Sequence, residues 1–387
     1  MARRRRILIH VQHLLGSGHL RRAAKIARTL AAAGHETLLV SGGMPVPDLD
    51  TGGADLLQLP PLRAADESFS TLVDDAGRAA DNTIRNARRA LLLRRFAAFG
   101  PHALIVEMYP FGRRSLAFEI EPLLDAAWAA RPRPLILSSV RDVVPRKSAK
   151  REAGILAAAR DRFDRILVHG DPALLPFEAS FPPAAALGDR LTYTGYVTPE
   201  PEAPGGPDAP GHDEVLVSAG GGAVGARLLR AARDARPLSA RASDRRWRLI
   251  AGGALAEGAY RNLAAGGDDG LVVERHRPDF RALLANCHVS VSQAGYNTAS
   301  ELLAAGKRAV VVPYVGRGET EQSLRAERLA LNGFVVSLAE ADLTPTTLAA
   351  AVDSALAAPA AKGPRPRMDG AGASLRLIEG WLGNRAG

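Results

Sequence analysis

The stretch HVSVSQAGYNTASELLAAGKRAVVVPYVGRGETEQSLRAERLALNGF, residues 288–334, alternates strand and helix patterns in a way that sets the fold class. The apolar run His288 to Ser292 is long enough only for a buried strand. Gln293 to Asn297 breaks it, and Gly295 allows a tight backbone turn. A helical pattern begins near Thr298, continues through Ala305 and is stopped by Gly306. Ala309 to Val312 forms a second buried strand closed by Pro313. A loop with Gly316 and Gly318 then leads to a helix over Glu321 to Leu331. The first helix's opening N–H groups lack internal partners and favour an anion such as a diphosphate. Glu301 lies one turn beyond Thr298, so both can face one crevice. A carboxylate there suits a vicinal diol, because it accepts two hydroxyl hydrogen bonds. Gln322 can reach a neighbouring hydroxyl. A diphosphate joined to a ribose fits this set, and the expected ligand is a nucleotide sugar. The plain alternative is a solvated helix carboxylate beside an ordinary turn.

Ser292-Gln293-Ala294-Gly295-Tyr296-Asn297-Thr298-Ala299-Ser300-Glu301-Leu302, then Gly306-Lys307, Val312-Pro313 and Gln322, resembles the donor-site segment of family-28-type glycosyltransferases. That group includes the peptidoglycan N-acetylglucosaminyltransferase. The resemblance implies that Glu301 holds the ribose hydroxyls and Gln322 contacts the donor sugar. It places Ser292, Gly295, Asn297 and Thr298 at the donor. It also implies the GT-B arrangement: α/β, two Rossmann-like domains with parallel sheets facing a central cleft. The family often has Asn-Ala shortly after the Gln, where this chain reads Ser323-Leu324-Arg325-Ala326. Gln293 stands where a basic residue is frequent.

The whole chain sets wider bounds. Its 387 residues, 47% of them hydrophobic, suffice for two domains with their own cores. The single cysteine, Cys287, excludes internal disulfides, suits a reducing cytoplasm and reads as a small buried hydrophobe. No apolar run reaches the roughly 18 residues needed to span a bilayer. The net charge of +9 suits anionic ligands or peripheral contact with an anionic membrane face. The basic residues are spread among many acids and form no nucleic-acid module, so no nucleic-acid partner is expected.

Ile7 to Val11, then Gly16-Ser17-Gly18-His19, then a helix from about Leu20 to Ala33 ended by Gly34, form the first strand-turn-helix unit of a doubly wound sheet. The turn lacks the third glycine of a dinucleotide fingerprint, and no acid ends the second strand, Leu38 to Ser41. Gly16 and Gly18 let a ligand approach the backbone. His19, at the helix entrance, is the candidate general base on an acceptor hydroxyl or water, weighed against a packing histidine. Gly16-x-Gly18-His19 resembles the N-terminal loop of the same transferases. Extended to Arg22, it is also similar to the UDP-sugar hydrolase of the pseudaminic acid pathway, where the His is thought to serve water activation. Arg21 and Arg22 read equally well as solvated helix residues.

Residues 44–70 read as loop with a short strand at Asp55 to Leu59, and Asp48-Leu49-Asp50 reads as loop rather than a metal-holding pair. Residues 71–98 read as helix, with Arg85, Arg88, Arg89, Arg94 and Arg95 on a solvated face. Glu107, with Tyr109, Phe111, Arg113 and Arg114 after it, has the make-up of a substrate pocket at a strand end. Arg141 and Asp142 repeat the plan, as do His169 and Asp171. Three polar strand ends suggest an acceptor-side cleft containing Glu107, Arg113, Arg141 and Asp142. Residues 107–113 and 138–142 also resemble an uncharacterised bacterial group of predicted glycosyltransferases, over nearly the full chain.

Residues 198–212 read as an exposed hinge between domains at 1–197 and 213–365. By the resemblance, residues 366–387 form a helix that packs back on the first domain. Ser218 ends a strand before Gly220-Gly221-Gly222, a turn suited to cradling phosphate but without a P-loop's Lys-Ser/Thr. Arg275-His276-Arg277 follows another strand, and the resemblance puts the base of the nucleotide at this loop. The leading expectation is an inverting, metal-independent transfer from a UDP-linked sugar to an acceptor, with no cofactor. A nucleotide-sugar hydrolase and a non-catalytic nucleotide-sugar binder stay open beside it.

Overall fold

The computed structural model describes residues 4–66, 71–219, 225–253, 255–265, 268–316, 320–359 and 365–385. The chain divides into two compact units, Met1–Thr198 with Arg367–Gly387, and Pro199–Pro366. The first contains β1 (Arg6–Val11), α1 (Gly18–Ala32), β2 (Glu36–Ser41), β3 (Asp55–Gln58), the short pair β4 (Arg63–Ala64) and β5 (Leu72–Val73), α2 (Asn82–Phe99), β6 (Ala103–Glu107), α3 (Ala117–Ala129), β7 (Leu135–Arg141), α4 (Ala149–Arg162), β8 (Arg165–His169) and β9 (Leu191–Tyr193). The second contains β10 (Val215–Ser218), α5 (Ala226–Ala235), β11 (Trp247–Ile250), α6 (Glu257–Ala264), β12 (Leu271–Glu274), α7 (Phe280–Asn286), β13 (Val289–Ser292), α8 (Tyr296–Ala305), β14 (Ala309–Val311), α9 (Glu321–Leu331), β15 (Val336–Ser337) and α10 (Pro345–Ala357). The last helix, α11 (Gly370–Asn384), returns to the first unit.

Each unit holds one parallel sheet, seven strands in the order β3-β2-β1-β6-β7-β8-β9 and six in the order β12-β11-β10-β13-β14-β15. Helices cover both faces, so the strands are apolar without alternation. Ile7, Ile9 and Val11 point to a core shared with Leu20, Ala24 and Ala27 of α1 and Ile378 and Leu382 of α11. Leu8 points to the opposite core with Leu92 of α2 and Ile120 and Leu124 of α3. In the second unit Trp247 is fully buried and donates its indole N–H to the Ala242 carbonyl at 2.9 Å.

Residues ahead of α11 are bound to the loop after β9. Tyr196 N–H donates to the Arg367 carbonyl at 2.8 Å, and Gly370 N–H to the Tyr196 carbonyl at 3.0 Å. Gly195 has φ +88, and a Cβ there would meet the Arg367 carbonyl oxygen at 2.6 Å, so only glycine fits. Asp171 accepts from Arg367 N–H at 2.9 Å and Ala173 N–H at 3.0 Å. This strand-end acid therefore anchors chain rather than lining a cleft.

Several sequence expectations are corrected. Residues 71–98 are not one helix: Leu72–Val73 pairs with Arg63–Ala64, Gly77 turns the chain at φ +79, and α2 starts only at Asn82, capped by Asp81. Residues 205–208 and Pro210 are exposed; Gly205 N–H donates to Asn286 at 2.7 Å and the Asn286 amide donates to the Pro210 carbonyl at 2.8 Å, so this stretch is tethered to α7. Arg89, Arg94 and Arg95 are exposed as expected, but Arg88 is fully buried. Its Nε and Nη2 hold both oxygens of buried Glu119 at 2.7 Å. The remaining donors reach the Gly42 carbonyl at 2.7 Å, the Pro60 carbonyl at 2.5 Å and the Gln12 amide oxygen at 2.9 Å. All five guanidinium N–H groups are thereby used.

Removing one member of such a pair strands a buried charge, which costs about 3–5 kcal/mol. Arg88→Leu is expected to lose about that much stability by chemical denaturation, and Arg88→Leu/Glu119→Leu is expected to recover part of it. A loss below about 1 kcal/mol in the single variant would show that the pair does not hold this edge together.

Candidate functional site

In the first unit, β6 lies beside β1, so Glu107 at the end of β6 comes next to the turn that opens α1. His19 sits in the first turn of that helix. Its Nδ1 is 2.8 Å from Glu107 Oε1. Arg22, one turn further, contacts the same oxygen and lies 3.3 Å from His19 Nδ1. An ionised carboxylate can only accept, so Glu107 is the acceptor for both neighbours. Nδ1 then carries the imidazole proton, and Nε2 is the basic nitrogen. The Arg22 and Glu107 side chains are 2% and 1% exposed, whereas that of His19 keeps 16%. The histidine is the member of the set that solvent or a substrate can reach.

The charges agree with that assignment. Burial pulls His19 down to about 3; Glu107 opposes the shift, while Arg113 and Arg22 add to it. The ring is therefore neutral near neutral pH. Burial pushes Glu107 up, but His19, Arg22 and Arg113 outweigh it and hold the carboxyl at about 2. Glu107 is therefore ionised. Its Oε2 is buried without a hydrogen-bond partner among the described residues. Arg113 has φ 64 and donates from Nε to the Gln12 carbonyl at 2.8 Å, a left-handed conformation uncommon for a non-glycine residue.

The other acceptor-side residues lie in different settings. Gly16 is exposed, and a Cβ there would meet nothing within 4 Å; Gly18 opens α1. Arg141 ends β7, half-buried. Asp142 is fully buried, with the Tyr196 hydroxyl 3.3 Å away. His169, in register with Arg141, is also buried, 2.8 Å from both Ser139 Oγ and Thr194 Oγ1. Phe111 packs edge-on against Phe177 and Phe181 at 5.3 Å, so this aromatic belongs to the core and not to a pocket. Sequence reading left Arg22 between a solvated and a functional residue, and its spacing of one helical turn from His19 was the available signal.

In the second unit, Ser218 and Ser292 end adjacent strands in register. Both are buried, and Ser292 Oγ has no partner among the described residues. Gly295 is the residue before α8, with φ −61 and ψ 154, and its Cβ position is open. Those angles suit any residue, so the expected glycine-dependent turn is not what the backbone needs here. No side chain caps α8, and its first turn holds no acid. Asn297 and Thr298 occupy that turn, half-buried. Glu301 is half-buried and lines a shallow depression with Arg281 and Pro199 to Glu202.

Gln322 is the second residue of α9, and its amide oxygen accepts from Ala294 N–H at 3.1 Å and Tyr314 N–H at 3.2 Å. It joins the two loops that follow β13 and β14. Arg325, which sequence reading noted only as a departure from a family pattern, is buried and donates to the Ala294 carbonyl at 2.8 Å. The loop after β12 presents His276 to solvent, while Arg275 pairs with Glu257 and Arg277 with Glu274 and Asp279. Gly220, Gly221 and Gly222 lie outside the described residues. Among the described residues, no group of three or more His, Cys, Asp or Glu is arranged to hold a metal ion, and no helix is long and apolar enough to cross a membrane.

Comparison with known proteins gives this geometry a class. Residues 216–376 match the glycosyltransferase family 28 C-terminal domain. The UDP-N-acetylglucosamine–N-acetylmuramyl-(pentapeptide) pyrophosphoryl-undecaprenol N-acetylglucosamine transferase of Methylibium petroleiphilum is 40% identical over 86 residues, 22% of this chain and 23% of that protein. The transferase of the same name from Syntrophotalea carbinolica is 36% identical over 78 residues, 20% and 22% of the two chains. Such matches span under a quarter of the relatives' length. Over the whole chain the fold is that of solved glycosyltransferases. Acinetobacter baumannii MurG superposes with a TM-score of 0.62 at 16% identity, covering 97% of this chain and 99% of that one. The calicheamicin glycosyltransferase CalG4 does so at 0.59 and 17%, covering 100% and 96%. The chain has a GT-B-like fold and carries a glycosyltransferase family 28 C-terminal domain.

The buried histidines predict acid sensitivity. Burial lowers both His19 and His169 from 6.5 to about 3. As pH falls from 6.5 towards 3, the unfolded chain takes up these protons before the folded one, so stability present above that window is lost across it. Glu107 adds a loss between 4.5 and about 2. His169→Asn is expected to flatten the upper part of this decline in melting temperature against pH. An unchanged slope would remove His169 from the account.

Proposed function

We propose that this protein is an inverting glycosyltransferase that uses a nucleotide-diphospho-sugar, UDP-linked. The second unit holds the donor. Glu301 accepts the ribose hydroxyls, Gln322 and the loops it joins meet the sugar, and Ser218, Ser292, Asn297 and Thr298 lie along the diphosphate. Gly220, Gly221 and Gly222 complete that cradle, and the loop at His276 receives the base. The curated relatives, named for UDP-N-acetylglucosamine, support the UDP linkage. A spinosyn rhamnosyltransferase solved with thymidine diphosphate, at a TM-score of 0.58, shares the fold.

The observation that carries the chemistry is the 2.8 Å contact between His19 and Glu107. His19 Nε2 takes the proton of the acceptor hydroxyl as its oxygen attacks the anomeric carbon. The bond to the diphosphate breaks, its electrons leave with the phosphate oxygen, and the configuration inverts. The uncapped start of α8 offsets the charge on the leaving group, in place of a metal ion. Glu107 fixes the tautomer and stabilises the imidazolium that forms; Arg22 and Arg113 hold Glu107 ionised. The same base would activate water equally well. Arg22 on Glu107 fits the hydrolase-like pattern Gly16 to Arg22, so nucleotide-sugar hydrolysis is the second reading.

For His19→Ala, the expectation is a folded protein with wild-type nucleotide affinity and a turnover of UDP-sugar reduced about 10²–10⁴-fold. Normal turnover would remove His19 as the base. Glu301→Ala is expected to weaken UDP binding by about 1–3 kcal/mol, the loss of a charged acceptor. Undiminished affinity by titration would sink its assignment to the ribose. Sugar released without any acceptor would favour the hydrolase.

A further inference from the structure

A cavity of about 640 Å³ opens in the second unit. It lies where β13, β14 and β15 begin, lined by His288, Ala309 and Val336. The residues assigned to the donor follow the other ends of these strands and none of them lines the cavity, although Ala299 and Leu302 on the far side of α8 do. Its volume falls within the roughly 300–1,000 Å³ of small-molecule pockets.

The lining has two characters. Leu303, Leu329 and Phe334 supply an apolar wall. Lys307, Arg308 and Arg365 supply three cationic side chains. Among the described lining residues Asp213 is the carboxylate, and it is engaged by Arg245 and by His288 at 3.1 Å. Lys307 spends one ammonium donor on the Cys287 carbonyl at 3.2 Å and has others to give. Arg308 and Arg365 are exposed, so both can turn towards a bound anion. A positive rim beside an apolar wall selects against neutral polar ligands and against purely apolar ones.

We propose that this cavity binds an amphipathic anion, a phosphomonoester head on an aliphatic tail. The guanidinium groups hold the head through paired N–H donors, and the tail lies along Leu303, Leu329 and Phe334. The source of such a ligand is either a membrane lipid or a soluble alkyl phosphate; the head and tail chemistry is common to both. The proposal stands apart from the donor assignment.

The test is calorimetric titration of the full chain with hexyl phosphate and, separately, inorganic phosphate. Hexyl phosphate is expected to bind saturably and inorganic phosphate at least tenfold more weakly. Arg308→Glu/Arg365→Glu, which changes only exposed side chains, is expected to weaken hexyl phosphate at least tenfold. Leu303→Trp, which fills the cavity and keeps its charge, is expected to do the same. Co-sedimentation with phosphatidic acid vesicles, absent with phosphatidylcholine alone and lost in the double variant, would identify a lipid source. Hexyl phosphate binding without vesicle binding would identify a soluble one. No binding by the wild-type chain, or equal affinity in both variants, would overturn the proposal.

Discussion

A carboxylate buried at the end of a strand is costly unless its charge is answered, and Glu107 is answered by two side chains of one helix and by Arg113 of the loop that follows its own strand. Arg22 and His19 of α1 converge on a single oxygen. That convergence fixes where α1 begins relative to the sheet edge. It also decides the state of the histidine, because a ring donating to a carboxylate has one tautomer and an open second nitrogen. The first unit contains a second buried histidine–carboxylate contact, His10 with Glu119 at 3.3 Å, and exposure separates the two. His10 and Glu119 are 1% and 0% exposed, whereas His19 keeps 16%. One pair is sealed into a structural knot with Arg88; the other presents its imidazole outward.

The second unit uses polar side chains to brace loops at the ends of its strands. Gln322 accepts from one backbone N–H on each of two loops, and Arg325 donates back to the first of them. Truncating Gln322 would therefore disturb both loops as well as any ligand contact, and its effect would exceed that of one hydrogen bond. Gly295 is different. Neither its angles nor its neighbours require glycine, so the open space above it is what a larger residue would remove.

Much of the fold was legible because its signals are local. The strands appear as short apolar runs bounded by polar turns, and Gly306 ends α8 at φ 61 as its position predicts. What sequence could not show depended on pairings distant in the chain. Arg88 and Glu119 lie in separate helices, so each taken alone resembles a solvated charge. The same holds for Asp142 and Asp171, whose partners come from Tyr196 and Arg367. A polar strand end looks the same in sequence whether it meets a ligand or another part of the chain. At His19 the glycine-rich turn and the helix entrance were legible. Its carboxylate partner, Glu107, was legible only as an acid at a strand end.

The most direct test of the account is a thermal-shift panel of UDP, GDP, dTDP, CDP, NAD and ATP on the full chain. A ligand present at about 100 times its dissociation constant adds roughly 2.7 kcal/mol of stability. The account predicts a clear rise in melting temperature with UDP, larger than with the other nucleoside diphosphates and absent with NAD. A shift with NAD or ATP alone, or with no nucleotide, would contradict it.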